Sequence, residues 1–336
     1  VQVYSALGQV AMSIQQWAAA KRYFFQALKL IDVDALLEGG EYEFPDSMST
    51  TSAASPTNSV SFQPSSVSMQ VMQAKILRQL GSLFLSMSGQ EPNKDTRGDS
   101  LKKASAAIFK SLRLTDHALG CWHVDYANTL VILGELYEYQ QDYANAAGVY
   151  LDAVDIFRAA LMGGTSTKGG FKQPTHSHTG CRVDMGSALC RIGSLYSKSH
   201  QYDDAYAVFQ EAYNLMVPIL GASHISMATM YIQMGLLHEQ RFVAETTITV
   251  SRTSISSLSS SQGRMTEQQG QLLGRALKRY KKALEIQRQA LGDGHSSVAQ
   301  SLCHVASIYQ KQQRLVKAVE CVKHAWHIRR KLWGSN

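Results

Sequence analysis

A small residue set directly after a large apolar one recurs along this chain, and its spacing limits the fold more than any other feature. The pairs are Leu7-Gly8, Leu80-Gly81, Leu133-Gly134, Ile192-Gly193, Met234-Gly235 and Val305-Ala306. Three residues beyond the small position stands an aromatic residue or His in five of the frames: Phe84, Tyr137, Tyr196, His238 and Tyr309. Each pair is followed by a second stripe: Ala20-Phe24-Ala27, Ala104-Ile108-Ser111, Ala146-Tyr150-Ala153, Ala205-Phe209-Ala212, Ala276-Tyr280-Ala283 and Ala318-Val322-Ala325. Intervals of four and three trace one face of a helix. Glycine costs about 1 kcal/mol against alanine inside a helix. Its recurrence therefore predicts close helix–helix approach, where a larger side chain would collide.

The small positions lie 73, 53, 59, 42 and 71 residues apart. With 42 as the period, the excess lengths are 31, 11, 17, 0 and 29. Each excess coincides with a polar, Gly-rich or Ser/Thr-rich stretch, at 38–68, 89–98, 163–180 and 243–264. Such low-complexity sequence buries too little apolar surface to order itself, so these four stretches are expected as disordered insertions. A fixed period of this size marks a stacked array of one supersecondary unit, here a pair of helices. Six units are predicted, at 1–37, 69–119, 123–162, 183–220, 224–291 and 295–332. Gln140-Gln-Asp-Tyr143 and Ser199-His-Gln-Tyr202 sit where the tight helix–helix turn of a unit belongs.

A linker motif, Leu-Gly-x-x-His-x-x-apolar-Ala, joins successive units. It stands as Leu119-Gly120, His123 and Tyr126-Ala127, as Leu220-Gly221, His224 and Met227-Ala228, and as Leu291-Gly292, His295 and Val298-Ala299. On these residues the chain resembles tetratricopeptide repeat (TPR) arrays of the long-period, kinesin-light-chain type. The resemblance implies an all-α fold, a right-handed superhelical solenoid of about six helix-turn-helix repeats. The periodic histidines are read as structural, with their imidazoles bonding between adjacent repeats. The first residues fall within a helix pattern and Leu332-Trp333-Gly334 begins another linker, so the sequence reads as an excerpt of a longer chain.

No catalytic constellation emerges. Gly-x-Ser-x-Gly, His-Glu-x-x-His and dinucleotide-type glycine clusters are missing from the sequence, and a non-enzyme without cofactor or metal is expected. The Gly163–Pro174 stretch has glycines and a lysine, but Lys168 precedes Gly169-Gly170 and no strand leads into it, so it reads as a linker. His176 and His178, with Cys181 and Asp184, make a poor metal set. Glu135 and Glu138 share a helix face and read as groove or solvated charge. Ser55-Pro56 and Arg252-Thr-Ser254 are candidate phosphorylation sites. Five cysteines without ligand spacing fit a reducing compartment, the cytoplasm, and no apolar run is long enough for a membrane span. Charge is uneven: residues 264–331 carry 14 Lys/Arg against four Asp/Glu, on a chain of net +7. That asymmetry is read chiefly as a solvated outer face, which leaves nucleic acid disfavoured as a partner.

Function is then expected on the first helix of each pair. The resemblance implies that the inner groove is lined just before the small-residue pair and one and four residues after it. These positions hold Val131, Ile132, Glu135 and Glu138, with Asn128 a turn earlier; Cys190, Arg191, Ser194 and Ser197; Ile232, Gln233, Leu236 and Glu239; and Cys303, His304, Ser307 and Gln310. Kinesin light chains carry an Asn-Asn pair where this chain has Val131-Ile132, Cys190-Arg191, Ile232-Gln233 and Cys303-His304. The expected role is a non-catalytic scaffold or adaptor that takes a partner's peptide or helix, with a kinesin-type cargo adaptor as its narrower form. The alternatives are a regulatory or sensor domain of a larger signalling or enzymatic protein, and a basic-surface binder of nucleic acid or acidic membrane. The partner and the oligomeric state are not encoded in these patterns.

Overall fold

The computed structural model describes residues 1–13, 16–30, 64–89, 94–162, 178–252 and 266–334. Ser55-Pro56, the Gly163–Pro174 stretch, His176 and Ser254 lie outside the described residues, as does most of the 38–68 insertion. Among the described residues there are twelve α-helices and no strand. They are α1 (Gln2–Ser13), α2 (Trp17–Lys29), α3 (Pro64–Ser88), α4 (Lys94–Leu119), α5 (Val124–Tyr139) and α6 (Tyr143–Leu161). There follow α7 (His178–Lys198), α8 (Tyr202–Leu220), α9 (Ile225–Arg252), α10 (Glu267–Leu291), α11 (Ser296–Lys311) and α12 (Leu315–Trp333).

The chain divides into two compact units, Val1–Thr175 and His176–Asn336. In each, helices pack in consecutive pairs, and the second helix of a pair also touches the first helix of the next. First helices touch one another as well: α1 with α3, α3 with α5, and α7 with α9. Both units are helical repeat arrays.

The recurring small residue is where the two helices of a pair meet. A Cβ on Gly8 would lie 2.6 Å from the Phe24 ring, on Gly81 2.7 Å from Ile108, on Gly134 2.5 Å from Tyr150, on Gly193 3.0 Å from Phe209 and on Gly235 2.6 Å from Tyr280. All five facing side chains are fully buried. In the last pair the small position is Ala306, which is buried, and the stripe residue Val322 is 52% exposed. In the five glycine pairs the frame is thus complementary, a large side chain set where a Cβ is absent.

The helix ends follow from local chemistry. Gly120, Gly221 and Gly292 close α4, α8 and α10 at φ of +89°, +77° and +81°, a region that a Cβ disfavours. The histidine three residues on then starts the next helix. His123 and His295 are N-caps, their Nδ1 atoms accepting from the backbone N–H of Asp125 (3.0 Å) and Ser297 (3.2 Å). His224 accepts likewise from Ser226 at 3.2 Å. The linker histidines are structural, but each of these bonds is local to its own helix start, not a bridge between repeats. The reason is geometric: the first amides of a helix lack partners, and an acceptor directly before them satisfies one. The tight turns of three pairs also share one geometry, with Gln141, His200 and Gln313 at φ of 64°, 64° and 58°. In each, the next residue's N–H bonds five residues back, as in Asp142 to Tyr137 at 2.9 Å.

Four insertion boundaries move. Helix α3 already runs from Pro64, and α7 from His178. Helix α4 takes in Lys94–Gly98, with Asp95 in its first turn, where a carboxylate favours the helix dipole. The largest shift is at α9, which continues from Val243 to Arg252 through sequence expected to be loop. Its threonines are accommodated because their hydroxyls bond back along the helix: Thr246 Oγ1 to Phe242 O at 2.7 Å and Thr247 Oγ1 to Val243 O at 2.9 Å. Arg241 and Glu245, four residues apart, pair at 3.2 Å. Phe242 packs on the core formed by Leu273, Tyr280, Val305 and Tyr309.

Candidate functional site

The residues expected to carry function fall on the first helices α5, α7, α9 and α11, so each unit is taken by itself. In the first unit, Asn128, Val131, Ile132, Glu135 and Glu138 are all half-buried on α5. Glu138 is engaged from behind: Tyr150 Oη, from the packing frame of α6, donates to its Oε1 at 2.8 Å. At the opposite end of α5, Arg78 of α3 donates to Asp125 Oδ1 at 3.3 Å and to its carbonyl at 3.1 Å. Burial pushes the Asp125 carboxyl up, but Arg78, Lys75 and His123 together outweigh it and hold it below the usual range. The first helices of successive pairs are locked together there by charge.

The second unit contains a cavity of about 880 Å³. Its walls are the end of α7 (Ser197, Lys198), the turn and start of α8 (His200, Tyr202), a long face of α9 and Lys311 at the end of α11. The α9 face reads Leu236, Glu239, Gln240, Val243, Ala244, Thr247 and Ile248. Val243 and Ile248 are 47% and 51% exposed, so the apolar wall is open to a ligand.

Three expected residues, Ser197, Leu236 and Glu239, line this cavity. Glu239 is its polar centre. It accepts from Tyr280 Oη at 2.7 Å, from Ser307 Oγ at 2.8 Å and from Lys311 Nζ. Burial pushes its carboxyl up, and the three donors with the Lys311 charge pull it below the ordinary range, so it is ionised at neutral pH. Ser197 Oγ donates to Gln240 Oε1 across α7 and α9. Lys198 and Lys311 against the single carboxylate leave an excess of one positive charge among the lining residues.

Other expected residues are placed differently. Cys190 packs against the Ala205, Phe209, Met234 and Leu237 core, and burial pushes its thiol up to about 12, so it is inert. Cys303 packs against Leu284, Val298 and Leu302. His304 stacks on Tyr280 at 5.0 Å and 14°, and burial lowers its pKa although Glu239 opposes that. Ile232 lies against the same core as Leu236. Arg191 and Gln310 are exposed, while Gln233 and Ser194 are half-buried. Val243, Ala244, Thr247 and Ile248 were missed because they fall in sequence read as loop. A signal existed: from Leu236 they continue at intervals of seven, eight, eleven and twelve, one helix face. Among the described residues no group of three or more His, Cys, Asp or Glu could hold a metal ion, and no helix is long and apolar enough to cross a membrane.

Comparison with known proteins agrees with this architecture. Tetratricopeptide repeat family profiles match residues 129–158, 186–215 and 255–331. Tetratricopeptide repeats thus stand in both units. No curated protein matches it in sequence. Among solved structures, the apo form of RapI is 13% identical with a TM-score of 0.52, covering 98% of this chain and 83% of RapI. BtubC (BKLC) from P. vanneervenii is 18% identical at a TM-score of 0.49, covering 81% of this chain and 91% of that one. Nearly identical TPR-like repeats of Podosopora anserina, named for a kinesin light chain, are 14% identical at 0.44, covering 81% and 99%. At these identities the RapI likeness speaks to the fold alone.

Proposed function

We propose that the chain is a non-catalytic protein-interaction scaffold that takes a peptide or helix of a partner protein on the faces of its first helices. Tetratricopeptide repeats serve protein–protein interaction in general, and that is the coarse ground of the reading. The observation that carries it is the cavity of about 880 Å³ built from α7, α8, α9 and α11. Its size falls in the range of ligand sites, roughly 300–1,000 Å³, and its combination of apolar walls with a few fixed polar groups is typical of them. Leu236, Val243, Ala244 and Ile248 offer apolar area, while Glu239 and Lys311 offer oriented polar atoms. Helix α9 supplies seven of the twelve lining residues, four of them in the extension that follows Arg241.

The experiment is capture of a natural partner by the full chain and by variants. Val243→Asp combined with Ile248→Asp lowers capture, as do Arg191→Glu and Glu135→Lys, with helicity unchanged. Partners of buried or partly buried charge pairs typically cost about 2–5 kcal/mol when one is removed, whereas rim charges mainly alter on-rate. The control is Lys278→Glu with Lys282→Glu on α10. If that control abolishes capture and the first-helix variants do not, the reading is wrong.

A further inference from the structure

The second unit carries a cluster of arginines away from the cavity. Arg275 and Arg279 stand four residues apart on α10, and so share one helix face. Like charges at that spacing repel. Among the described residues, neither has a carboxylate partner within salt-bridge distance. The Arg279 guanidinium lies 5.7 Å from the centroid of the Tyr231 ring of α9, which tilts against Tyr213 of α8 at 6.2 Å. A third guanidinium, Arg241 of α9, is already occupied by Asp203 at 2.7 Å and Glu245 at 3.2 Å.

His238 stands on α9 between Tyr231, which faces Arg279, and Arg241. His238 is 6% exposed, and its ring sits 6.0 Å from Tyr206 of α8, which is 41% exposed. Burial first, then Arg279, Arg275 and Arg241, push its pKa down to about 4. Arg275 and Arg279 thus stand without a carboxylate within salt-bridge distance, Arg279 against the Tyr231 ring and His238 against that of Tyr206.

We propose that Arg275 and Arg279, flanked by Tyr206, Tyr231 and His238, form a site for the phosphate of a phosphorylated side chain on a partner protein. Planar guanidinium forks match a phosphate's oxygens, and a phosphomonoester brings a charge of about −1.5 to −2 with three acceptor oxygens. An acidic membrane is disfavoured because the start of α8 exposes two acids, Asp203, which pairs with Arg241, and Asp204. The same acids interrupt any continuous cationic track for nucleic acid. This site is separate from the cavity and gives the scaffold a contact that depends on the partner's modification.

The test titrates the full chain with a phosphoserine peptide library, its unphosphorylated counterpart, inorganic phosphate, and phosphatidylcholine vesicles with and without phosphatidylserine. The His238 imidazole is followed by NMR in each arm. A bound phosphate offsets the guanidiniums that keep this ring neutral, so phosphopeptides raise its pKa and unphosphorylated peptides do not. Arg275→Gln with Arg279→Gln weakens phosphopeptide binding by about tenfold or more. The Lys pair at the same positions keeps the charge, loses the fork and binds in between. Lys317→Gln with Lys323→Gln on α12 binds as the unaltered chain does. Four results would each overturn the proposal: equal binding of both libraries, an unmoved His238 titration, binding of vesicles or inorganic phosphate without phosphopeptides, or an unaffected Gln variant. The cavity reading is judged by its own variants, Val243→Asp with Ile248→Asp, and does not stand or fall with these results.

Discussion

Gly134→Ala adds one methyl group at the point where α5 meets α6. That Cβ would sit 2.5, 2.6 and 2.8 Å from three ring atoms of Tyr150, against an ordinary carbon–carbon contact of roughly 3.5–4.0 Å. The ring must therefore retreat by about 1 Å. It has little room to do so, because Tyr150 is fully buried and its hydroxyl is tied to Glu138 at 2.8 Å. Overpacking of this kind costs about 1–3 kcal/mol. The better helix propensity of alanine returns about 1 kcal/mol. The expected net effect is a destabilisation of up to about 2 kcal/mol. The same substitution at Gly148, on the exposed side of α6, meets nothing within 4 Å and stabilises by about 1 kcal/mol. One helix pair thus offers two Gly→Ala changes of opposite sign. Gly193→Ala, at 3.0 Å from Phe209, falls between them. A repeat array unfolds locally as well as globally. The readout is hydrogen exchange of α5 and α6 amides, alongside thermal melting followed by circular dichroism. Adding Tyr150→Val, which removes the ring that the new methyl group meets, should recover part of the loss. If Gly134→Ala protects its neighbours as well as Gly148→Ala does, the close-approach reasoning is wrong.

Three further outcomes are expected. Replacing His295 by Ala removes the Nδ1 acceptor from the first turn of α11 and costs about 1 kcal/mol, while His295→Asn retains most of it; urea unfolding of the two variants checks this. His238 has its pKa lowered from 6.5 to about 4, so the unfolded chain binds the proton more readily between those values; stability is full above about 6.5 and falls as pH drops toward 4, and His238→Gln flattens that limb of a pH series of melting temperatures. Glu239→Gln strips the charge from an acceptor of three donors and destabilises by about 1.5–3 kcal/mol, read as faster exchange in α9 and α11.

The packing frame was legible because it is written in residue size at helical spacing. Gly8, Gly81, Gly134, Gly193 and Gly235 each meet the large residue that the stripe places opposite. The pairing of helices, the linker glycines and the structural part played by His123, His224 and His295 follow from the same grammar. The α9 extension was hidden because Thr246 and Thr247 lower helix propensity and resemble the Ser/Thr-rich sequence after them. Their hydroxyl bonds to Phe242 and Val243, and the packing of Phe242, are tertiary and local compensations that composition does not display. The cavity was half legible. Ser197, Leu236 and Glu239 came from the repeat register, whereas Lys198, His200 and Lys311 come from helix ends whose mutual approach no periodicity reports. Cys190 and Cys303 were assigned to the groove by register alone, and the packing of the next helices claimed their side chains.

The hydroxyls of Tyr150 and Tyr280 carry a consequence for how such a repeat can be retuned. Each tyrosine fills the space left by a glycine and, with its far end, holds the glutamate four residues beyond that glycine. Where the frame residue is Phe209, Ile108 or Val322, the corresponding position is Ser197, Leu85 or Gln310, and carries no charge. A tyrosine-to-phenylalanine exchange in the second helix would leave the volume of the interior nearly untouched. It would nonetheless release a carboxylate from one of its restraints on the opposite side of the pair. The charge that the first helices present can thus be adjusted by single-atom edits made behind it, at positions that a survey of the surface would pass over.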